Sequence, residues 1–265
     1  MESPYILNTC DYNFTKHSDG GFSGRILLAT PKKANLPKLL IKSENPSSAC
    51  NEFMYSRLAE LLGIVIPKAY IMNVAPKDAH LFGSPYVVGI EFMDGMHGFT
   101  LEEMRASELL RKEYAEQYAL AAMFFQDDRV QLSMRTDGHI TGFDFTETFW
   151  LNDMRISSFN LSDDDLTDVL HKRLLQALDK AASKLRAGAA ALQIELCLTE
   201  DSLPPDSYLD PMRNFLKLTN EQIVELTDVL YEVYPVSIVV YFEEYVKALK
   251  QVIEAYLRSV AETTK

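Results

Sequence analysis

The fold of this chain depends on FQDDRVQ at 125–131, the turn Asp137-Gly138 and ITGFDF at 140–145. Two stretches with the residue pattern of β-strands, joined by an Asp-Gly turn, predict a β-hairpin. Asp128 and Asp144 lie sixteen residues apart at the two ends of this hairpin, so we expect their carboxylates side by side at one sheet edge. Such a pair suits metal-assisted phosphoryl transfer, in which one carboxylate positions the attacking hydroxyl and the other holds Mg²⁺.

The composition is that of a globular protein with one large domain or two intimate lobes. The chain has 265 residues, of which 47% are hydrophobic. The net charge of −12 argues against a nucleic-acid groove or an anionic membrane as the main partner. Three cysteines far apart indicate a reducing compartment without disulfides. With no signal-peptide pattern and no bilayer-length apolar run, we expect a cytoplasmic protein.

The N-terminal third is predicted to be rich in β-structure. Strands are expected at 25–29, 36–43, 68–74 and 85–92, with a further candidate near 5–7 and only weak patterning in the rest of residues 1–20. A helix is expected from about residue 48 to residue 62, because Gly63 provides a stop signal.

The remainder is predicted to be mainly helical. Capping boxes begin at Thr100 and Thr219, and a buried helix should run from Leu110 to Phe125, straight into the two aspartates. A long helix at 164–196 has Gly188 as a candidate break. Further helices are expected after an N-cap at Asp210 with Pro211 at the first position, and at 236–261. The glycine-bearing joint at 94–98 is where we expect a cleft.

Lys42 and Glu52 are a second candidate pair. Lys42 lies on the predicted strand 36–43, and Glu52 lies early in the next helix. A compact ammonium neutralises phosphate oxygens, and a paired carboxylate keeps it aimed. This order is typical of the smaller lobe of a kinase. Taken alone, a surface lysine and a surface glutamate would explain the two residues as well.

A glycine-rich segment, DGGFSG at 19–24, precedes this pair. Gly20 and Gly21 allow backbone N–H groups to approach phosphate closely, and Ser23 lies beside them. The segment has neither the GxGxxG nor the Walker A pattern, and a plain hairpin turn fits it equally. It is a candidate phosphate loop only because of the residues that follow it.

Asp144 stands between Phe143 and Phe145. A carboxylate in so apolar a strand is expensive to bury without a partner. The simpler interpretation, a charge that keeps the end of the hairpin in solvent, is therefore less attractive. Lysine, glutamate and two aspartates also occur in the order that kinases use, which favours the functional interpretation.

The chain resembles the HipA-like kinases, bacterial relatives of the protein and lipid kinase fold. NE at 51–52, RLAELLGI at 57–64 and IP at 66–67 are similar to the family's NE…RLA..LG..VP segment. FGSPYV at 82–87 and EFM at 91–93 fit its next strands, and DR at 128–129 with GFDF at 142–145 resembles its N.DR and IDHG-like motifs. The resemblance covers roughly residues 20–155.

This resemblance implies a bilobal kinase-like fold of the α+β class. A small β-rich N-lobe would comprise residues 1–93, and a mainly helical C-lobe carrying the catalytic hairpin would comprise residues 94–265. It also implies ATP and Mg²⁺ in the cleft. The adenine would be read by backbone near Glu91 and Met93, and Lys42, paired to Glu52, would hold the phosphates.

The resemblance also implies roles for the hairpin and for partners. Asp128 would lie beside the acceptor hydroxyl, and Asp144 would bind the metal. Relatives include toxins that phosphorylate aminoacyl-tRNA synthetases, some of them alongside an antitoxin. The implied partners are therefore a protein substrate, such as an aminoacyl-tRNA synthetase or another translation factor, and an antitoxin. Some relatives phosphorylate a serine in their own glycine-rich loop, which makes Ser23 a site to test.

The chain departs from the family at two positions. The family often has an asparagine two residues before the catalytic aspartate and a metal-binding asparagine five residues after it. Here Gln126 and Ser133 occupy these places. Gln131 would replace Ser133 as a metal ligand in a shifted register, and Asp127 would then be catalytic instead of Asp128.

We therefore predict an ATP-dependent phosphotransferase that acts on a protein serine or threonine. The substitutions at Gln126 and Ser133 leave a catalytically weak pseudokinase, or a nucleotide-sensing binding module, as the alternative. A kinase of a lipid or small metabolite is a further alternative. The acidic net charge makes an anionic lipid the less attractive acceptor.

Overall fold

The structure is a computed structural model that describes residues 4–18, 26–42, 46–126, 130–149, 151, 162–198 and 204–263. Within these ranges a six-stranded sheet is followed by a largely helical part. The α+β class predicted from the sequence is therefore confirmed. None of the helices in the described ranges combines the length and apolar character that crossing a membrane requires.

The sheet is formed near the N-terminus. Its strands are β1 (Ile6–Asn8), β2 (Tyr12–Ser18), β3 (Ile26–Pro31), β4 (Leu39–Lys42), β5 (Ala69–Asn73) and β6 (Tyr86–Glu91). Their order is β1-β5-β6-β4-β3-β2, with β1 parallel to β5 and the other pairs antiparallel. The sequence did not predict β2. This edge strand exposes most of its side chains and buries Tyr12, so its apolar alternation is weak.

Helix α1 (Pro46–Leu61) packs on β5 and β6. Its buried residues include Phe53, Met54 and Tyr55, three consecutive positions that cannot all lie on one face. A helix that is apolar on several sides is enclosed rather than laid on a surface. This enclosure explains why Glu52, in the same helix, is almost completely buried.

Among the described residues, the helical part contains one small hairpin, which consists of β7 (Gln131–Met134) and β8 (Ile140–Phe143) and packs against the helix at Glu108–Met123 through β8. The helices are α2 (Leu101–Ala106), α3 (Glu108–Met123), α4 (Asp163–Glu195), α5 (Asp206–Leu216), α6 (Asn220–Thr227) and α7 (Val236–Thr263). Helix α3 packs against α4 and α5, and α4 also packs against α7. The two capping boxes predicted at Thr100 and Thr219 are confirmed.

Gly188 does not interrupt α4, which runs for 33 residues. A Cβ atom at this position would lie 2.6 Å from the Tyr208 hydroxyl oxygen and 3.0 Å from Ala122 Cβ. The glycine therefore permits close packing of three helices. The sequence pattern suggested a helix break because glycine often marks one, but here the glycine is present because a larger residue would not fit between the helices.

Two predicted helix ends are also wrong. Helix α5 begins at Asp206, so Pro211 lies inside it, because burial of Tyr208 and Met212 on both sides of the proline stabilises a continuous helix. Helix α3 ends at Met123, and Phe125 adopts a left-handed φ of 57°. The chain therefore turns before it reaches the two aspartates.

The hairpin is attached to α3 by Glu113. Its Oε2 accepts the backbone N–H of Ile140 at 2.9 Å, and its other oxygen contacts the ring of His139. Hydrogen bonding to Glu113 and its negative charge raise the pKa of His139 above the ordinary value of 6.5. The protonated imidazole therefore helps to hold the hairpin on the helical part.

This pair predicts a pH-dependent contribution to stability. Because the folded pKa of His139 is raised, the contribution is complete below about pH 6.5 and is lost as the pH rises through the folded pKa. His139→Gln should lower the free energy of unfolding by less than about 1 kcal/mol, because the ring is 41% exposed. Urea unfolding at several pH values measures the effect, with His80→Gln as control; a difference that is constant with pH would contradict the assignment.

Candidate active site

Strand β4 delivers Lys42 to the site. Leu39 and Ile41 are buried in the core, so the alternation of side chains directs Lys42 to the opposite face of the sheet. There its Nζ lies 2.6 Å from Glu52 Oε1 and 2.7 Å from Asp144 Oδ1. The lysine side chain is only 14% exposed. A shielded ammonium is thus held between two carboxylates from different elements.

Glu52 is the buried member of this group, with 2% of its side chain exposed. Burial raises the pKa of the Glu52 carboxyl, while the Lys42 charge and hydrogen bonds from Lys42 and from the backbone of Phe145 oppose this shift. The carboxylate consequently needs the lysine as a partner in order to remain charged. Since α1 is packed on several sides, Glu52 holds Lys42 in a fixed direction.

Asp144 follows the end of β8 and has a left-handed φ of 64°. Aspartate tolerates this conformation better than most residues. The turn directs a carboxylate that is 34% exposed to the edge of the hairpin. One carboxylate oxygen contacts Lys42, and the other accepts a hydrogen bond from Gln131 Nε2 at 3.0 Å.

The other predicted metal ligand, Ser133, lies further along the hairpin. It is two residues beyond Gln131 on β7, opposite Thr141. In the described part of the chain, Ser133 makes no hydrogen bond to Asp144, whereas Gln131 does. Gln126 is also close, because its Nε2 lies 3.5 Å from the backbone oxygen of Asp144. In the described part of the structure, therefore, Gln126 and Gln131 contact Asp144, and Ser133 does not.

The predicted adenine-reading backbone lies at the end of β6. Glu91 is opposite Leu39 in the sheet, and its N–H donates to the Lys68 oxygen at 2.7 Å. Met93 follows two residues later, where the chain leaves the sheet. Strands β4 and β6 are hydrogen-bonded neighbours, so Glu91 and Lys42 are about 10 Å apart along the sheet.

Several predicted residues fall outside the described ranges. They are the glycine-rich residues Gly20, Gly21 and Ser23 and the two candidate catalytic residues Asp127 and Asp128. Their roles stay predictions. The described residues on either side, Gln126 and Val130, lie next to the Asp144 turn and the start of the hairpin.

Two residues of this region were missed at the level of sequence. Asn51, next to Glu52, donates from Nδ2 to the backbone oxygen of Thr146 at 2.8 Å. Lys184 of α4 donates to the backbone oxygen of Gln126 at 3.2 Å, and its Nζ lies 4.8 Å from the centre of the Phe125 ring. Asn51 belongs to the NE motif, which was a usable signal. Lys184 belongs to no motif in its long amphipathic helix, so no local sequence pattern identifies it.

The donor set of this site fits Mg²⁺. Asp144 offers a carboxylate. Gln131 offers an amide, whose nitrogen donates to Asp144 and whose oxygen is of the kind that Mg²⁺ prefers. Magnesium in nucleotide sites is bound by one or two carboxylates together with phosphate oxygens and water. The described residues contain no cluster of three or more His, Cys, Asp or Glu side chains that would enclose a metal by itself. A shared, oxygen-rich magnesium site is consistent with this arrangement.

The geometry can be compared with known proteins. No family model matches the sequence, and no curated protein matches it significantly. The proinflammatory kinase CtkA of Helicobacter pylori is similar in structure, with a TM-score of 0.66 and 10% sequence identity over 97% of this chain and 99% of that chain. HipA of Shewanella oneidensis, solved with HipB and operator DNA, matches with a TM-score of 0.45 and 12% identity over 94% of this chain and 67% of that chain.

At 10% identity, the match to CtkA is informative about the fold alone. It extends over nearly the whole of both chains, so it includes the sheet, α1 and the helical part together. The likeness to CtkA therefore confirms the kinase-like fold that the resemblance to the HipA-like kinases implies.

Proposed function

We propose that this protein is an ATP-dependent phosphotransferase that transfers the γ-phosphoryl group to a protein serine or threonine. One observation carries the proposal: the Lys42 ammonium lies 2.6 Å from Glu52 and 2.7 Å from Asp144. A strand lysine, a helix glutamate and an aspartate after the hairpin are the three parts that kinases bring together around the nucleotide phosphates. They converge here from positions up to 102 residues apart in the sequence.

Each residue has a defined task in this mechanism. Lys42 would contact phosphate oxygens of ATP, and Glu52 would hold the ammonium in place. Asp144 would bind Mg²⁺ together with Gln131, which replaces the family's asparagine. When bound there, Mg²⁺ would neutralise part of the negative charge on the phosphates. Asp128, or Asp127 in the shifted register that uses Gln131, would accept the proton of the attacking hydroxyl, which is the role that kinases give to the aspartate of the catalytic loop.

The acceptor is proposed from the resemblance to the HipA-like kinases. A protein substrate such as an aminoacyl-tRNA synthetase or another translation factor, and an antitoxin partner, remain predictions on that basis. The net charge of −12 supports a protein over an anionic lipid surface, which would repel the chain. A small metabolite is the remaining acceptor class.

A nucleotide-binding module with weak catalysis is the second candidate. Two observations favour it: Ser133 lies away from Asp144, and Gln126 directs its amide nitrogen to a backbone oxygen of the turn. The HipA-like kinases often have asparagine at both positions. A site in which only Gln131 assists Asp144 would bind a nucleotide and transfer phosphate slowly.

Incubation with γ-labelled ATP and a cell lysate tests the proposal. We expect the wild-type protein to label a protein acceptor on serine or threonine, and Asp128→Ala to lose nearly all of this label, because the acceptor hydroxyl loses its base. Mass spectrometry of the labelled band identifies the acceptor and also reads out Ser23. Asp127→Ala serves as the paired variant.

The outcomes separate the candidates. Label that survives in Asp128→Ala and disappears in Asp127→Ala would assign the base to Asp127. Nucleotide binding in a calorimeter without label on any protein would favour the binding module. Label found only in a lipid or metabolite fraction would change the acceptor class and leave the phosphotransferase in place.

A further inference from the structure

The turn from Asp144 to Thr146 is held by α1 through Asn51. The Asn51 Nδ2 group donates to the Thr146 backbone oxygen at 2.8 Å, and the residue is fully buried. Asn51 therefore attaches the metal-site turn to the helix that carries Glu52. Any displacement of this helix would move both the partner of Lys42 and the turn of Asp144.

The same turn is held from the other side by Gln126. This side chain is 6% exposed, and its Nε2 lies 3.5 Å from the Asp144 backbone oxygen. The backbone oxygen of Gln126 itself accepts a hydrogen bond from Lys184 of α4. A chain of contacts thus joins the long helix α4 to the residue that is proposed to bind the metal.

In both side chains the amide nitrogen donates a hydrogen bond, whereas the amide oxygen accepts none from the described residues. Within the described residues, the buried Asn51 Oδ1 and Gln126 Oε1 atoms have no hydrogen-bond partner. A buried polar atom without a partner destabilises the fold. An apolar side chain of equal size would avoid this penalty. The favourable contribution of the two amides is therefore the hydrogen bond that each of them donates to the turn.

Asp144 gains from such support because a φ of 64° still costs free energy in aspartate, although aspartate tolerates the left-handed region better than most residues. An aspartate free to return to extended backbone would point its carboxylate elsewhere. Misplacement of a metal ligand by about 1 Å is enough to reduce catalysis strongly.

We propose that Asn51 and Gln126 are positioning residues that hold the left-handed turn at Asp144, so that its carboxylate faces Lys42 and the metal. The inference rests on the proposed function for its chemical consequence and on the described contacts for its structural part. Neither amide touches the reacting atoms in this assignment. They act through the backbone oxygens of Asp144 and Thr146.

The test uses near-isosteric variants of the full chain. Asn51→Leu and Gln126→Met remove the donated bond together with the unpartnered oxygen. Gln117→Met is the matched control, because Gln117 is 2% exposed, donates to the Val65 oxygen at 3.2 Å and also has an unpartnered oxygen. Asn51→Ala and Gln126→Ala form a second pair that removes the N–H donor without adding a charge, in case the larger apolar side chains prevent folding.

Two measurements are made on each protein. Hydrogen exchange of the segment 143–149 reports on the turn without any ligand, and we expect about tenfold faster exchange in the Asn51 and Gln126 variants, as for the loss of about 1.4 kcal/mol. Calorimetry of ATP binding with and without Mg²⁺ gives the factor by which the metal tightens binding. This factor should fall about tenfold in the same variants and stay within about twofold in Gln117→Met.

Unchanged exchange in the segment 143–149 would overturn the inference, as would a loss of metal dependence that is equal in the control. A wild-type protein that binds no nucleotide would contradict the proposed function instead. In that case the exchange comparison would still decide whether the two amides hold the turn.

Discussion

Replacing Asp144 with asparagine is expected to lower metal-dependent phosphoryl transfer at least about a hundredfold, because the metal ion loses its carboxylate ligand. The asparagine has nearly the same shape and retains one oxygen, so the fold should persist. Asp144 is 34% exposed, which limits the effect on stability. The measurement is the rate of transfer from γ-labelled ATP at several Mg²⁺ concentrations.

Asp137→Asn is the matched control for this variant. Asp137 lies at the tip of the same hairpin, is 47% exposed and pairs with Arg135. The Asp137→Asn variant loses the same charge as Asp144→Asn, but at the tip of the hairpin and not beside Lys42. It should therefore retain the wild-type rate within about twofold. Wild-type transfer by Asp144→Asn would exclude Asp144 as the metal ligand.

Replacing Lys42 with methionine should reduce transfer by a similar factor and should also destabilise the protein. The chemical effect arises because the phosphates lose the ammonium that neutralises them. The structural effect arises because Glu52, 2% exposed, would keep a buried charge without its cation. Removal of one partner from a buried ion pair typically costs about 3 kcal/mol. Rates of transfer and urea unfolding measure the two effects separately.

The double variant Lys42→Met/Glu52→Gln distinguishes these effects. It has no buried charge to compensate, so its stability should return to near the wild-type value while its activity remains lost. Lys33→Met, at an exposed lysine that pairs with Asp11, is the control for loss of a surface charge. A double variant as unstable as Lys42→Met would contradict the assignment of Glu52 as the source of the destabilisation.

The single variant Lys42→Met should also show a characteristic pH dependence. Burial already raises the pKa of Glu52 above its ordinary value of 4.5, and removal of Lys42 takes away the main opposing influence. A carboxyl whose folded pKa is raised destabilises the fold when it is ionised. The stability of the variant should therefore be lowest above the raised pKa and should recover as the pH falls towards 4.5.

The sequence by itself determined the fold class and predicted which elements carry Lys42, Glu52 and Asp144. Alternating apolar residues placed Lys42 on a strand, and helical spacing placed Glu52 in the next helix. The Asp-Gly turn predicted the hairpin that leads to Asp144. These are local signals, because they depend on the period of a strand or helix and on the residues of a tight turn.

Only the tertiary structure decided how these parts meet. Asp144 lies 102 residues from Lys42, and no local pattern fixes a distance of 2.7 Å between them. The close packing at Gly188 and the contact of Lys184 with Gln126 likewise depend on helices that are distant in sequence. Periodicity reports which face of an element is buried, whereas the partner across that face is selected by packing of the whole chain. For the same physical reason, the hairpin could be predicted from residues 125–145, and the two amides that hold its aspartate could not.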